Sequence, residues 1–137
     1  MITFVDSNVL VYAYDRTAGP KRDISRRALA ELWTAREGAI STQVLAEFYV
    51  NVTRKLPQPM TRPRARAVLR RYATWPVYAA GGLDVFEASE LEQAHSLSFW
   101  DALIVVAAGR AGAERLLTED LQHGRVINGV RIENPFR

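Results

Sequence analysis

Four acidic residues, Asp6, Glu47, Asp101 and Asp120, stand far apart in the chain, each beside a point where a strand should end or a helix begin. Gathered in one pocket, four carboxylates repel one another unless a divalent cation holds them together. Oxygen donors without thiolate or imidazole suit Mg²⁺ or Mn²⁺ rather than zinc, and Mg²⁺ keeps several waters on one or two carboxylates. A water on such an ion is the candidate nucleophile. Where two ions share a site they sit roughly 3.5 to 4 Å apart and stabilise the attacking and leaving oxygens of an in-line displacement at phosphorus. The expectation is metal-dependent hydrolysis of phosphodiester bonds.

Taken singly, three of these acids also have a purely structural reading. Asp6 suits a helix cap, Asp101 completes a capping box with Ser98, and Asp120 complements the amino end of a following helix. Glu47 resists such a reading. It falls inside an apolar helical segment whose one polar neighbour on that side is Asn51, and a buried unpaired carboxylate is costly.

The elements that must position these acids follow from periodicity and caps. Ile2 to Val5 predicts a strand, and Asp6, Ser7 and Asn8 supply caps for a helix through Val9, Leu10, Tyr12 and Ala13. A helix from about Lys21 to Arg36 is stopped by Gly38, and Ala39 to Ser41 is a second strand. Thr42 caps a helix from Gln43 to about Lys55, which Pro57 and Pro59 end. Thr61 to Thr74 predicts an arginine-rich helix and Val77 to Ala79 a third strand. Gly81 and Gly82 mark a turn before a helix over Asp84 to His95, with Val85, Phe86, Ala88, Leu91 and Ala94 at helical spacing. Asp101 to Arg110 is apolar almost all round and should cross the core. Arg115 to Leu117, Arg125 to Ile127 and Val130 to Ile132 are the last extended pieces, with a capped turn at Thr118.

Strands alternating with helices predict an α/β fold with a mainly parallel sheet covered on both faces. In such sheets ligands bind outside the carboxyl ends of the strands, where Asp6, Glu47 and Asp120 all fall. Asp101 joins them if its helix opens toward the same crevice.

The bulk composition sets further bounds. A chain of 137 residues reads as one domain, residues 1–137, able to bury roughly two-thirds of its unfolded surface. The absence of cysteine excludes disulfides, thiolate zinc sites and cysteine nucleophiles, and fits a reducing cytoplasm. Met1 to Val5 has no signal-peptide character, and the apolar run Ala102 to Ala108 is far short of the ~20 residues of a spanning helix, so no membrane location is expected. Net charge is +3, carried almost wholly by arginine, since Lys21 and Lys55 are the only lysines. That balance suits a polyanionic ligand steered to bound metal, although a GC-rich coding sequence produces the same bias.

Five motifs carry a resemblance. They are Val5-Asp6-Ser7-Asn8-Val9-Leu10, Gln43-Val44-Leu45-Ala46-Glu47-Phe48, Ser98-Phe99-Trp100-Asp101-Ala102-Leu103-Ile104, Leu117-Thr118-Glu119-Asp120 and the terminal Asn134-Pro135-Phe136. In order and spacing, over essentially the whole length, they resemble PIN-domain ribonucleases, specifically the VapC toxins of type II toxin–antitoxin systems. The resemblance implies a three-layer α/β/α sandwich around a parallel sheet, a homodimer, Mg²⁺- or Mn²⁺-dependent endonucleolytic cleavage of RNA, and a small antitoxin that covers the active site. It places the metal-site acids on Asp6, Glu47, Asp101 and Asp120, with hydroxyl support from Ser7 and Thr118. Glu119, beside Asp120, is a competing carboxylate, and the segment from about Thr53 to Gly82 carries no family motif.

Outside these motifs, Arg62, Arg66 and Arg70 recur every four residues with Arg71 alongside, a helical stripe suited to RNA phosphates or to the antitoxin. A merely solvated face reads the same way. His123, three residues past Asp120, is a conceivable proton shuttle but reads equally as a turn residue, and His95 has no nucleophile partner at telling spacing. Tyr12, Tyr14, Trp33, Phe48, Tyr49, Phe99 and Trp100 are expected in the core and the dimer seam. No phosphate-binding glycine loop supports a nucleotide cofactor. Two rivals stay open: a phospho-aspartate receiver or phosphatase built on Asp6, and a non-catalytic module binding RNA or protein on the same fold. The phosphatase motif wants an acid where Asn8 stands, and the receiver wants a late-strand lysine that is missing.

Overall fold

The alternation of short apolar strands with amphipathic helices builds a six-stranded sheet flanked by six α-helices. The computed structural model describes residues 1–137. In chain order the elements are β1 (Thr3–Val5), α1 (Ser7–Tyr14), α2 (Pro20–Ala35), β2 (Gly38–Ser41), α3 (Thr42–Val50), α4 (Arg62–Tyr72), β3 (Val77–Tyr78), α5 (Gly82–His95), α6 (Phe99–Arg110), β4 (Arg115–Leu117), β5 (Val126–Ile127) and β6 (Val130–Glu133). A π-helical turn over Asn51–Lys55 continues α3.

The strand order is β3-β2-β1-β4-β6-β5. All neighbours run parallel except β5, which pairs antiparallel with β6. Asn128 and Gly129 take positive φ, 54° and 81°, as a two-residue turn between antiparallel strands requires. From β1 the chain winds outward through β2 and β3, then crosses back to place β4 on the other side of β1. The order therefore reverses between β1 and β4, and the crevice beyond their carboxyl ends is where an open α/β sheet binds ligands. Helix α1 packs on α2 and α3, and α3 on α4, while α5 pairs with α6, which packs on β2, β4 and β6. This is the expected three-layer α/β/α sandwich.

The core is lined by Phe4, Val5, Leu10, Ile40, Phe48, Leu116 and Ile132, with Ala102 to Ala108 of α6 all buried among them. The all-round apolar sequence of α6 thus has the interior place that it predicts.

Several local expectations are corrected. Arg36, in the left-handed conformation (φ 57°, ψ 43°), ends α2, rather than Gly38. Gly38 instead opens β2 against Trp75, whose ring atoms lie 2.5 Å from where a Cβ would stand. Ser41, not Thr42, caps α3: its buried hydroxyl accepts from the Val44 N–H at 3.3 Å. The expected single helix to Lys55 widens after Val50. There Asn51 Nδ2 donates to the Glu47 carbonyl at 2.8 Å and Thr53 Oγ1 to the Tyr49 carbonyl at 2.7 Å, side-chain bonds that compete with the α ladder.

Helix α5 begins at Gly82, two residues earlier than expected, because Asp84 Oδ2 accepts from the Gly81 N–H at 2.8 Å. Its buried stripe is Asp84, Ala88 and Leu91, while Val85, Phe86 and Ala94 face solvent. Trp100, expected in the core or the dimer seam, is 63% exposed at the start of α6 and so lies outside the core of the single chain. No helix follows Asp120, so its helix-dipole reading falls.

Candidate active site

Asp6 continues β1 by donating its N–H to the Leu117 carbonyl at 3.0 Å, then turns out of the sheet to cap α1. One carboxylate oxygen accepts from the Ser7 N–H at 2.7 Å and the other from the Thr118 hydroxyl at 2.9 Å. The residue is 4% exposed. Burial pushes its carboxyl up to about 7, against the two hydrogen bonds that favour the charged form, and the charges of Asp120 and Glu47 push the same way as burial.

Thr118 ends β4 with its N–H on the Glu133 carbonyl at 3.0 Å and is fully buried. Its hydroxyl oxygen also accepts from the Asp120 N–H at 3.1 Å and from Asn8 Nδ2 at 3.2 Å. Asn8 Nδ2 further reaches Asp120 Oδ2 at 3.1 Å, and Asn8 Oδ1 accepts from the Glu119 N–H at 3.4 Å. The first turn of α1 is therefore clipped to the segment after β4. Asp101 lies in the first turn of α6, its N–H on Ser98 Oγ at 3.1 Å, so half of the expected capping box forms. Partial burial raises the Asp101 carboxyl, the Ser98 hydroxyl opposes that shift and the Asp120 charge adds to it.

Oxygens of Asp6, Asp101 and Asp120 all lie within 4.8 Å of one another. Glu47 stands outside this trio but is linked to it. The Ser7 hydroxyl donates to Glu47 Oε1 at 3.0 Å and sits 3.5 Å from Asp6 Oδ1. Gln43 Nε2 reaches Glu47 Oε2 at 3.3 Å and the Trp100 carbonyl at 3.4 Å, tying α3 to α6. The polar neighbour of the Glu47 carboxylate on its own helix is thus Gln43, four residues before it; Asn51 is spent on the backbone.

None of the four acids forms a salt bridge with Lys, Arg or His, whereas Glu119 does, to Lys21 Nζ at 2.8 Å, and also takes the Tyr12 hydroxyl. Of the two adjacent carboxylates, Asp120 therefore faces the cluster and Glu119 closes a separate surface pair. Three converging carboxylates without a counter-charge fit one or two hard divalent cations, with water completing the shell.

The remaining candidates separate from this cluster. Arg62, Arg66 and Arg70 are exposed on α4, which packs on α3 and the π-helical turn, and Arg71 stacks over Trp33 at 5.5 Å from the ring centroid. His123 is exposed and accepts the Asn134 N–H on Nδ1 at 3.0 Å, the turn reading rather than the proton-shuttle one. His95 is engaged by Arg125 through its carbonyl at 3.0 Å. The sequence reads Asn8 as a cap and Gln43 as a helix start within the family motifs, with no site role for either. Their amide groups two residues after Asp6 and four before Glu47 were the available signal.

An acidic pocket at the switch point of a parallel sheet is the class of site that the fold defines. The chain belongs to the PIN-domain family, whose model matches residues 3–128. Among curated proteins, none matches the sequence. Similar solved structures include a toxin–antitoxin complex from Klebsiella pneumoniae (24% identity, 98% of each chain covered, TM-score 0.71). VapBC2 from Rickettsia felis bound to a DNA fragment from their promoter is similar too (24% identity, 98% of each chain, TM-score 0.67). So is VapC20 from Mycobacterium tuberculosis, a Sarcin-Ricin loop cleaving toxin (20% identity, 83% of this chain and 86% of that one, TM-score 0.64). At these identities the likeness is one of fold. Family membership displaces the phospho-aspartate reading, and Asn8, where the phosphatase motif wants an acid, is bonded to Asp120.

Proposed function

We propose that residues 1–137 form a single PIN nuclease domain that hydrolyses RNA phosphodiester bonds with Mg²⁺ or Mn²⁺, as the toxin of a VapC-type toxin–antitoxin pair. The observation that carries this reading is the convergence of Asp6, Asp101 and Asp120 within 4.8 Å, with no cationic side chain to neutralise them. Membership of the PIN family and the fold shared with VapC20 and the two toxin–antitoxin structures support it.

Asp6, Asp101 and Asp120 hold the cation, and Glu47 joins from α3 through Ser7, directly or through water. When bound, the cation supplies charge neutralisation at phosphorus and an acidic water. Thr118 holds Asp6 and the Asp120 backbone in register, and Asn8 orients the Asp120 carboxylate. Arg62, Arg66 and Arg70 offer a contact for RNA or the antitoxin on the outer face of α4. The working state is a cytoplasmic homodimer held inactive by a cognate antitoxin.

The test is incubation of the purified chain with defined RNAs, with Mg²⁺ or Mn²⁺ and with chelator, beside the Asp6→Asn variant. Cleavage that needs the cation and is lost in folded Asp6→Asn supports the reading. Cleavage unaffected by chelator, or full activity in the variant, overturns it. A non-catalytic module would bind RNA with no dependence on the cation.

A further inference from the structure

Beyond the acidic crevice, four arginines from three parts of the chain line one small cavity. Arg16 follows α1, Arg22 and Arg26 lie in the first turns of α2, and Arg64 opens α4, with Tyr14 and Gln58 completing the walls of a cavity of about 150 Å³. No carboxylate lines it, and none of the four guanidiniums forms a salt bridge. The nearest acid in sequence, Asp15, is occupied by the Thr17 N–H and hydroxyl at 2.9 and 2.6 Å. Arg26 is anchored through Nε to the Ala13 carbonyl at 2.8 Å, which leaves its terminal nitrogens free. Arg22 Nε is buried with no hydrogen-bond partner.

Arg16, Arg26 and Arg64 are exposed to water, but a buried donor left without a partner, as Arg22 Nε is, costs free energy that an anion in the cavity would recover. Guanidinium forks match phosphate oxygens in bidentate pairs. At roughly 30 Å³ of liquid volume per water, the cavity has room for one tetrahedral anion with a little water.

We infer that this arginine pocket seats a backbone phosphate of the RNA at a position away from the bond that is cut. Placement favours RNA over other anions. Helix α1 starts at the acidic cluster with Ser7 and ends at the pocket with Tyr14, about 12 Å at the helical rise. Lys21, the residue before Arg22, is bonded to Glu119 next to Asp120, so the amino end of α2 borders both sites. A single strand crossing the acids reaches the pocket within a few nucleotides.

This inference rests on the ribonuclease reading for its substrate, and binding without cation separates the two. In the Asp6→Asn background with chelator, anisotropy of a labelled oligouridylate reads affinity with no cleavage. Adding Arg22→Gln and Arg64→Gln should weaken binding about tenfold and flatten the slope of log K against log salt by about 0.7, one phosphate on a single strand. Arg27→Gln with Arg137→Gln removes the same charge elsewhere and should change both far less. Arg16→Gln, in the turn after α1, gives a second variant if the pair unfolds, which urea denaturation monitors.

Unchanged affinity and slope overturn the inference, as does an equal loss in the charge-matched control. If the pocket variants lose competition by poly-glutamate or inorganic phosphate but keep RNA affinity, the pocket serves another anion and the inference fails. Metal-dependent cleavage by the unaltered chain is scored separately: its absence sinks the nuclease reading and leaves the binding result to be judged alone.

Discussion

Replacing Asp6 with Asn should stabilise the metal-free protein at neutral pH while it abolishes cleavage. Asp6 is 4% exposed, and burial outweighs the Thr118 and Ser7 hydrogen bonds, so its carboxyl moves from 3.8 in the unfolded chain to about 7 in the fold. Below 3.8 it is protonated in both states and costs nothing. Between those values the folded state keeps a proton that the unfolded state has lost, so this residue makes stability fall as pH rises, and the loss levels off above about 7. The full loss is on the order of 4 kcal/mol at 1.36 kcal/mol per pH unit.

Asparagine does not titrate. Its Oδ1 still accepts from the Ser7 N–H, and its amide faces the Thr118 hydroxyl in place of the accepting oxygen, a change worth about 1 kcal/mol. The stability gap between variant and parent should therefore be small near pH 4, open through the window up to about 7 and settle near 3 kcal/mol in favour of Asn, in order of magnitude. Urea denaturation of both proteins in chelator across this range measures it, and the difference cancels the titration of every other group. A gap that does not change with pH, or a parent more stable than the variant in metal-free buffer at pH 8, would refute the burial argument.

Other outcomes follow from the same contacts. Mn²⁺ should raise the unfolding free energy of the parent in urea by about 2.7 kcal/mol at a hundredfold excess over its dissociation constant, and should do so far less in Asp6→Asn. Because bound cation requires ionised Asp6, calorimetry near pH 6 should show proton release on binding. Thr118→Val keeps the shape but removes the donor to Asp6 and the acceptor for the Asp120 N–H and Asn8; it should cost about 2 kcal/mol and cut cleavage at least tenfold, with Thr118→Ser restoring most of both. Glu119→Gln disrupts a half-exposed pair with Lys21 and should change stability by under about 1 kcal/mol and leave the cation dependence of cleavage intact. If it instead abolishes that dependence, Glu119 rather than Asp120 is the functional acid.

Local chemistry made much of this legible in one dimension. Asp6 stands where an apolar run ends and capping residues begin, Ser98 sits three residues before Asp101, and α6 has no polar face to show to water. Each is a property of a few neighbouring residues, so the strand ends, the helix starts and the buried helix could be read in order. Parallel winding follows from the alternation of elements, and with it the carboxyl edge where the acids gather.

Only the tertiary structure decided which groups meet. Glu119 and Asp120 are indistinguishable along the chain; they part because Lys21 and Tyr12 approach one and Asn8 the other. Helical spacing set Phe86 in line with Ala88 and Leu91, yet it is exposed, since the buried face of α5 is set by α6, the partner that it packs against. Gly38 looked like a helix stop and is an accommodation to Trp75. The arginine pocket joins residues from α2, α4 and the turn after α1 that share no periodicity. A sequence records which side chains each segment offers; electrostatic neutralisation and steric fit act through space, so the pairing of those side chains exists only once the sheet has brought its segments together.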